Sequence, residues 1–155
     1  MYLVKHSPVS TFGFWSFMAT VSFGLLMIYL NYESDRQRQE FRATNGTAKI
    51  WGRLPKAIHA VYTSEQGHAK KSLLLASGFW GMSRHINYVF ELLAALSWSI
   101  PALTSSLIPY FYFLFLFVLL VHRSHRDEVK CRNKYTKYWN QYCELVPYKM
   151  LPYIY

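Results

Sequence analysis

The sequence contains two long runs with almost no charge. Between Ile86 and Val121 the only formally charged side chain is Glu91, and His6 to Tyr32 contains no Asp, Glu, Lys or Arg. A soluble protein rarely exposes apolar runs of this length, and backbone groups in lipid must be hydrogen-bonded within the chain. The uncharged runs therefore predict membrane-spanning helices and exclude an ordinary soluble domain.

Several motifs of soluble enzymes are also missing. The seven glycines form no Gly-x-Gly-x-x-Gly and no phosphate-cradling loop, so a Rossmann unit is not predicted. There is no His-Glu-x-x-His, and Cys131 and Cys143 lack the nearby histidine pairs of a zinc site. We predict no metal, and any dinucleotide must be held by side chains between helices.

The apolar runs fit three helical crossings. About 20 residues span the hydrocarbon core of a bilayer, which matches 11–30. The middle run divides at Pro101–Pro109 into halves of roughly 27 Å as helix. The predicted fold class is all-α: an integral membrane bundle with spans at 11–30, 86–103 and 105–122, a cytosolic loop at 31–85, and a cytosolic tail at 123–155 that contains an amphipathic helix.

Basic residues are concentrated on one side of these spans. Lys and Arg number 17 against 8 Asp and Glu, and every basic residue except Lys5 lies in the loop or after Val121. Because positively charged loops stay in the cytosol, the loop and the C-terminus are predicted to be cytosolic. The positive charge suits an anionic membrane face or a phosphorylated cofactor; nucleic acid is not a predicted partner, since the basic residues flank membrane spans.

Two clusters of polar side chains begin the loop and the second span. Arg38 and Arg42 are one helical turn apart, and arginine binds phosphate through a bidentate fork; the alternative is a basic patch that attracts anionic lipid. A second cluster, Arg84, Asn87, Tyr88 and Glu91, follows i, i+3, i+4, i+7 spacing on one helical face. A carboxylate inside the bilayer favours a protein cavity; the alternative is a cap and packing stripe.

A third stripe lies in the tail and combines a cation with aromatic rings. A lysine beside tyrosines suits an adenine nucleotide, because the ammonium pairs with phosphate and the rings stack. The alternative is an interfacial helix with its tyrosines at headgroup level. The residues of this stripe, spaced for one helical face, are Asp127, Cys131, Lys134, Tyr135, Tyr138 and Tyr142.

Longer segments resemble a known family. The run Leu73–Tyr88 (LLLASGFWGMSRHINY) resembles the signature of the sterol reductases that remove ring double bonds at C7 or C14, and so do His122–Glu128 and Val146–Tyr148. The block Asp35–Arg42 is similar to the Δ7 branch, the 7-dehydrocholesterol reductases. The resemblance runs from about Asn31 onward and corresponds to the C-terminal, NADPH-binding part of a longer multi-span enzyme.

This resemblance implies an NADPH-dependent oxidoreductase of the endoplasmic reticulum membrane that reduces a C=C bond of a sterol. An isolated ring alkene must take up a proton before it accepts hydride, and the candidate acids are Asp127 and Glu91. The implied partners are a sterol, the lipid bilayer, and further N-terminal spans or another membrane subunit. The family's cofactor residues carry over onto Arg38, Arg42, Leu75, Trp80, Asn87, Tyr88, Asp127, Cys131, Lys134, Tyr135 and Tyr142.

Some departures and alternatives accompany the resemblance. Thr136 and Tyr153 stand where the family usually has glycine, and Glu91 replaces a common aspartate. A Δ14-sterol reductase shares the signature, and a non-catalytic sterol-binding relative would keep the fold without NADPH affinity. An isoprenylcysteine carboxyl methyltransferase, which uses S-adenosylmethionine, shares an Arg-His-x-x-Tyr element but commonly has proline where this chain has Ile86.

Overall fold

The chain folds as helices joined by one β-hairpin. The computed structural model describes residues 13–63, 68–102 and 107–154. Within these ranges the helices are α1 (Phe14–Ala43), α2 (Phe79–Met82), α3 (Ile86–Ser99), α4 (Ile108–Tyr135) and α5 (Lys137–Leu145), and the strands are β1 (Ala57–Thr63) and β2 (Ala69–Leu75). A 3-10 turn, Ile100–Ala102, follows α3.

The fold divides into two compact units. The first, here the apolar unit, comprises Asn87–Val121 and the described residues of Met1–Tyr32. The second, the polar unit, comprises Glu33–Ile86 and the described residues of His122–Tyr155. Each unit has its own internal packing.

The apolar unit contains the helices predicted to span a membrane. Both α1 and α4 are long and apolar enough to cross a bilayer, and only 11% of the most apolar part of each is buried in the protein. Trp15, Phe111 and Leu114 are among the large side chains that face outward. Two candidate membrane-spanning helices are therefore present, which is consistent with the predicted membrane class. The third apolar helix, Ile86–Ala102, is shorter, so the third crossing remains a prediction.

Close contacts between small residues tighten the apolar unit. A Cβ added to Gly24 would lie 2.5 Å from the Ser97 hydroxyl oxygen, so only glycine allows α1 and α3 to approach this closely. The Ser99 hydroxyl donates a hydrogen bond to the Pro109 carbonyl at 3.0 Å, which links the end of α3 to the start of α4. Part of the predicted turn between them, 103–106, lies outside the described residues.

The first long helix continues beyond its predicted end. α1 runs to Ala43, so the first part of the predicted cytosolic segment 31–85 is helical. Charged helix formers explain the extension, because Arg36 pairs with Glu33 at 2.7 Å along the same helix. The helix ends at a turn in which Asn45 and Gly46 have φ of 51° and 86°, a left-handed conformation that terminates helices.

The last long helix also continues beyond its predicted end. α4 runs into the predicted tail as far as Tyr135, and Thr136 breaks it with φ 47° and ψ −112° before α5 begins at Lys137. The predicted stripe from Asp127 to Tyr142 assumed one continuous helix. That single face is therefore wrong beyond Tyr135, and the last part of the stripe lies on a separate short helix.

The all-α prediction is wrong within the polar unit, where β1 and β2 form an antiparallel hairpin. Ala57 pairs with Leu75 and Thr63 pairs with Ala69; the connecting residues 64–67 lie outside the described part. Because strand side chains alternate between faces, the hairpin contributes to two cores. Ala60 and Leu74 pack with Tyr135, Trp139, Tyr142 and Val146, whereas Leu75 packs with Phe41, Ile50 and Trp80.

Candidate functional site

The polar unit contains a cleft lined mainly by basic and polar side chains. Its volume is about 490 Å³, and it is bounded by the end of α1, both strands and the end of α4. Of the lining side chains that the structure describes, three are cations and none is acidic, a donor set that attracts phosphate. The lining residues are Arg42, Asn45, His59, Lys71, Ser72, Leu73, Lys134 and Tyr135.

Aromatic rings position Lys134 at this cleft. Its Nζ lies 4.1 Å from the centroid of the Tyr62 ring and 5.1 Å from that of Tyr135. The two rings meet edge to face at 5.6 Å, and the Tyr135 hydroxyl lies 3.3 Å from Ser72 Oγ. Partial burial lowers the pKa of Lys134, but the oxygens of Tyr135 and Tyr62 outweigh it and raise the pKa overall. The ammonium is therefore charged at neutral pH.

Arg42 faces the same cleft from α1. Burial, and then repulsion by Arg38 one turn earlier, lower the pKa of its guanidinium, which still remains charged in a protein. In the part of the chain that the structure describes, no ion pair neutralises Arg42, Lys71 or Lys134. The cleft thus gathers like charges from separate elements, and an anionic ligand would relieve their repulsion.

Arg38 stacks on an aromatic ring and is not among the residues that line the cleft. Its Cζ lies 4.6 Å from the Trp80 ring centroid, and the indole Nε1 donates to the Ser34 carbonyl at 2.8 Å. Gly78 permits this arrangement, because an added Cβ would lie 2.5 Å from Gln37 Oε1 and its φ is 63°. The glycine of the Ser-Gly-Phe-Trp-Gly run therefore has a physical role in bringing Trp80 to α1.

Tyr142 and Leu75 complete the surroundings of this ring. The buried Tyr142 hydroxyl donates to the Trp80 carbonyl at 3.5 Å, and burial raises the pKa of Tyr142 to about 12. This phenol is neutral at physiological pH and serves as a hydrogen-bond donor. Leu75 packs against Trp80 and Phe41. Both residues support the ring that Arg38 covers.

Cys131 and Asp127 lie on α4 before Lys134. Cys131 is half-buried against the cluster that contains Tyr135, and burial, followed by the charge of Asp127, raises the pKa of its thiol. It is therefore a packing thiol and not an activated nucleophile. The Asp127 carboxylate lies 3.9 Å from Arg123 Nε and is partly exposed. It is the acidic group of α4 that keeps access to solvent and ligands.

The structure divides the predicted site residues between the two units. Arg84, which the spacing assigned to a helical stripe, precedes α3 in a turn, so that stripe is wrong at its first member. The other members of the stripe, Asn87, Tyr88 and Glu91, lie on α3 in the apolar unit. The predicted residues found in the polar unit are Arg38, Arg42, Leu75, Trp80, Asp127, Cys131, Lys134, Tyr135 and Tyr142.

The sequence analysis missed a buried ion network that we call the Glu128 clasp. Glu128 lies 3.3 Å from Arg84 Nη2 and 3.6 Å from Lys149 Nζ, and all three side chains are at most 13% exposed. Arg84 also donates to the Val146 carbonyl at 3.0 Å, and its backbone N–H donates to the Tyr148 carbonyl. The clasp fixes the C-terminal segment to the turn before α3. No spacing pattern distinguishes Glu128 from its neighbour Asp127, so sequence alone gave no signal.

The hairpin also contributes to the cleft, which no sequence motif indicated. His59 pairs with Leu73 and Val61 pairs with Lys71. Residues opposite each other, and residues two apart, share a face of an antiparallel pair. His59, Lys71 and Leu73 therefore share one face and line the cleft together. Only the strand register shows this, because the hairpin loop separates His59 in sequence from Lys71 and Leu73.

Comparison with known proteins identifies the family of this chain. Residues 1–155 match the Ergosterol biosynthesis ERG4/ERG24 family. A 7-dehydrocholesterol reductase of Arabidopsis thaliana is 51% identical over 155 residues, which are 100% of this chain and 35% of the relative. The corresponding enzyme of Xenopus laevis is 43% identical over 135 residues (87% and 28%), and a Delta(14)-sterol reductase of Mus musculus is 54% identical over 115 residues (74% and 28%).

The match extends along this chain but not along the relatives. The chain spans about a third of the length of the curated relatives it matches. Identities of this size over most of the chain, together with the match to the family, confirm the resemblance to sterol reductases. The chain belongs to the Ergosterol biosynthesis ERG4/ERG24 family.

Proposed function

We propose that this chain is the C-terminal, cofactor-binding part of an NADPH-dependent sterol reductase that acts on a ring double bond at C7. The basic cleft carries the proposal, because it offers cations and aromatic rings in a chain that matches sterol reductases throughout. The C7 position is supported by relatives named 7-dehydrocholesterol reductase at 51% and 43% identity.

The donor set of the cleft fits the phosphates of NADPH. Arg42 offers a planar fork and Lys134 a point charge, both suited to phosphate oxygens. Among the described residues, no lining side chain is a carboxylate that would repel these oxygens. Tyr135 adds an aromatic surface beside the cations. When bound, NADPH supplies a hydride to the sterol ring. We assign Asn87 and Tyr88 to the same cofactor on family resemblance alone.

The reaction also needs a proton, which the chain's own carboxyl groups can hold. Hydride adds to a ring carbon only after the alkene has been protonated, so a general acid must precede it. Asp127 is our first candidate because it lies on α4, one turn before Cys131, with its carboxylate partly exposed. Glu91 on α3 is the second candidate. Each would deliver its proton to the alkene carbon and be reprotonated from solvent.

A location in the endoplasmic reticulum membrane, with several spans and a cytosolic C-terminus, belongs to the same proposal. The basic residues of the polar unit support it through the positive-inside rule. A cytosolic polar unit would meet NADPH from the cytosol, while the apolar unit would meet the sterol from the bilayer. Further spans or another membrane subunit would complete the sterol pocket, because the relatives are about three times as long.

A Δ14-sterol reductase is the second candidate function. The Mus musculus relative with that name is 54% identical over 115 residues, which is as high as the match to the Δ7 enzymes. The cofactor site would be the same in both cases. The two activities differ in how the sterol ring is placed against that site, so product analysis separates them.

The first test is cofactor binding by this chain in nanodiscs of neutral lipid. We expect NADPH to bind and S-adenosylmethionine not to bind, as measured by tryptophan fluorescence. Replacing Lys134 by Gln should weaken NADPH binding about tenfold or more, because a charge-assisted hydrogen bond contributes about 1.5–3 kcal/mol. Lys137→Gln is the matched control, since Lys137 stacks on Tyr138 and does not line the cleft. Binding of S-adenosylmethionine in place of NADPH would contradict the proposal.

The second test is turnover in a full-length relative that carries this segment. We expect reduction of a Δ7 sterol, measured by gas chromatography of the products, and not of a Δ14 sterol. Asp127→Asn should abolish turnover with unchanged protein abundance, because the amide cannot donate a proton near neutral pH. Wild-type turnover in that variant would transfer the role to Glu91 or to another group. NADPH binding without turnover on either sterol would indicate a non-catalytic relative.

A further inference from the structure

The hairpin brings an additional cation into the cleft that no motif identified. Lys71 lies on β2 opposite Val61, and it shares a face with His59 and Leu73. The neighbouring Lys70 lies opposite Tyr62 and points to the other face by strand alternation. Only one of these two adjacent lysines lines the cleft. A role of Lys71 in the cleft can therefore be tested by comparing substitutions of Lys71 with the same substitutions of Lys70.

Three cations from three different elements meet at the cleft. Arg42 belongs to α1, Lys71 to β2 and Lys134 to α4, and no ion pair neutralises them among the described residues. Cations on a solvated surface normally spread apart or pair with carboxylates. The rings of Tyr62 and Tyr135 hold Lys134 where it is. The arrangement therefore favours a ligand with more than one negative charge.

A phosphate monoester is a ligand that carries more than one negative charge at neutral pH. Its second pKa is about 6, so it carries between one and two negative charges at neutral pH, and it offers three acceptor oxygens. Each phosphate of a dinucleotide's pyrophosphate bridge carries only one charge. NADPH has a monoester on its ribose and NADH lacks it, which is the difference that enzymes of other folds recognise with arginine.

On the basis of the proposed function, we propose that Lys71, with Arg42 and Lys134, binds the ribose phosphate of NADPH and makes the protein select NADPH over NADH. The hairpin would then supply the residue that distinguishes NADPH from NADH in the cofactor site. His59 lies on the same strand face and offers a further hydrogen-bond donor to the same phosphate.

The test compares the dissociation constants of NADPH and NADH for the full chain in phosphatidylcholine nanodiscs, which present no anionic headgroup. We expect the wild type to bind NADPH at least tenfold more tightly. Lys71→Gln should raise the NADPH constant about tenfold and leave the NADH constant unchanged, so the preference disappears. Lys71→Arg should restore it. Competition by 2′,5′-ADP should be weakened in the same way, whereas competition by 5′-AMP should not change.

Lys70→Gln is the matched control, because it removes the same charge one residue away on the opposite strand face. We expect it to retain the NADPH preference. The inference is wrong if Lys71→Gln keeps the preference, or if Lys70→Gln reduces it equally. It is also wrong if the wild type binds both dinucleotides equally, or if Lys71→Gln weakens only the binding of anionic vesicles. In each of these cases dinucleotide binding leaves the proposed function intact. A wild type that binds only S-adenosylmethionine overturns the proposed function and this inference together.

Discussion

Asp127 and Glu128 are neighbours on α4 with different environments. Asp127 is partly exposed beside Arg123, whereas Glu128 is buried between Arg84 and Lys149. Removing one partner of a buried ion pair leaves the other charge without solvent or counterion. The free energy lost in this way is larger than the net stabilisation that the intact pair provides. Glu128 therefore stabilises the polar unit, whereas the more exposed Asp127 is the carboxylate that we propose as the acid.

Replacing Glu128 by Ala tests this division of roles. We expect a loss of about 3–5 kcal/mol, because Arg84 and Lys149 would stay buried without their counterion. The measurement is thermal unfolding in detergent micelles, followed by tryptophan fluorescence. Glu40→Ala is the control, since Glu40 pairs with Arg36 on an exposed part of α1, and an exposed pair contributes less than about 1 kcal/mol. Equal losses in the two variants would show that the clasp contributes no more than a surface pair.

His85 gives the polar unit a pH dependence. Burial lowers the pKa of His85 from 6.5 to about 4; Asp127 and Glu128 oppose this shift, and Arg84 and Lys149 add to it. The unfolded chain therefore binds the proton more readily than the folded chain. Stability is complete above pH 6.5 and decreases as the pH falls toward 4. The loss between pH 6.5 and 5 should be about 2 kcal/mol.

Substitution of His85 tests whether this residue causes the pH dependence of stability. The midpoint of thermal unfolding of the wild type should fall between pH 6.5 and 5, and His85→Asn should reduce that fall because asparagine does not titrate. His125 is exposed on α4, so His125→Asn should leave the wild-type profile unchanged. A profile that is the same in all three proteins would show that His85 does not titrate differently in the folded state.

At the level of elements, the junction of α4 and α5 contains a strained residue. Thr136 has φ 47° and ψ −112°, a conformation that is costly for a β-branched side chain. Tyr153, the other position where the family resemblance leads us to expect glycine, also has positive φ, at 68°. The two departures from the family pattern thus coincide with backbone conformations that glycine adopts without cost.

Thr136→Gly should stabilise the chain by about 1 kcal/mol, because the strain is released at a position that already lies between two helices. The expected result is a rise in the midpoint of thermal unfolding with no change in helix content by circular dichroism. Lys137→Gly, one residue later at the start of α5, should instead destabilise by about 0.5–1 kcal/mol. A lower midpoint for Thr136→Gly would show that the threonine side chain contributes contacts that outweigh the strain.

Helix positions were more predictable than helix ends. The apolar runs placed α1, α3 and α4 because exclusion from water determines where such segments fold. The apolar runs do not indicate where the helices end, because the ion pair of Arg36 with Glu33 supports α1 within a polar sequence. The hairpin was missed because β2 ends in two adjacent buried side chains, Leu74 and Leu75, which interrupts the alternation that identifies a half-buried strand.

At the level of the whole molecule, the two units differ in the kind of side chain that they expose. The apolar unit exposes large side chains along α1 and α4, and the polar unit contains the basic cleft and the Glu128 clasp. The sequence predicted this division, because hydropathy and charge are properties of whole segments. The sequence did not predict which cations line the same cleft. The strand register places Lys71 there, and the end of α4 places Lys134 there.

The division predicts how the chain responds to a charge placed on α4. Leu114 is 58% exposed in the apolar unit and Val129 is 46% exposed in the polar unit. Leu114→Arg should reduce membrane integration, because an arginine at the centre of a spanning helix costs about 2.5–3.5 kcal/mol of insertion free energy. Val129→Arg should be tolerated, since that face of the helix already meets water. The measurement is the fraction of chain that resists extraction by alkaline carbonate. If the two variants were extracted equally, α4 would not change solvent along its length, and the assignment of its first half to the bilayer would be wrong.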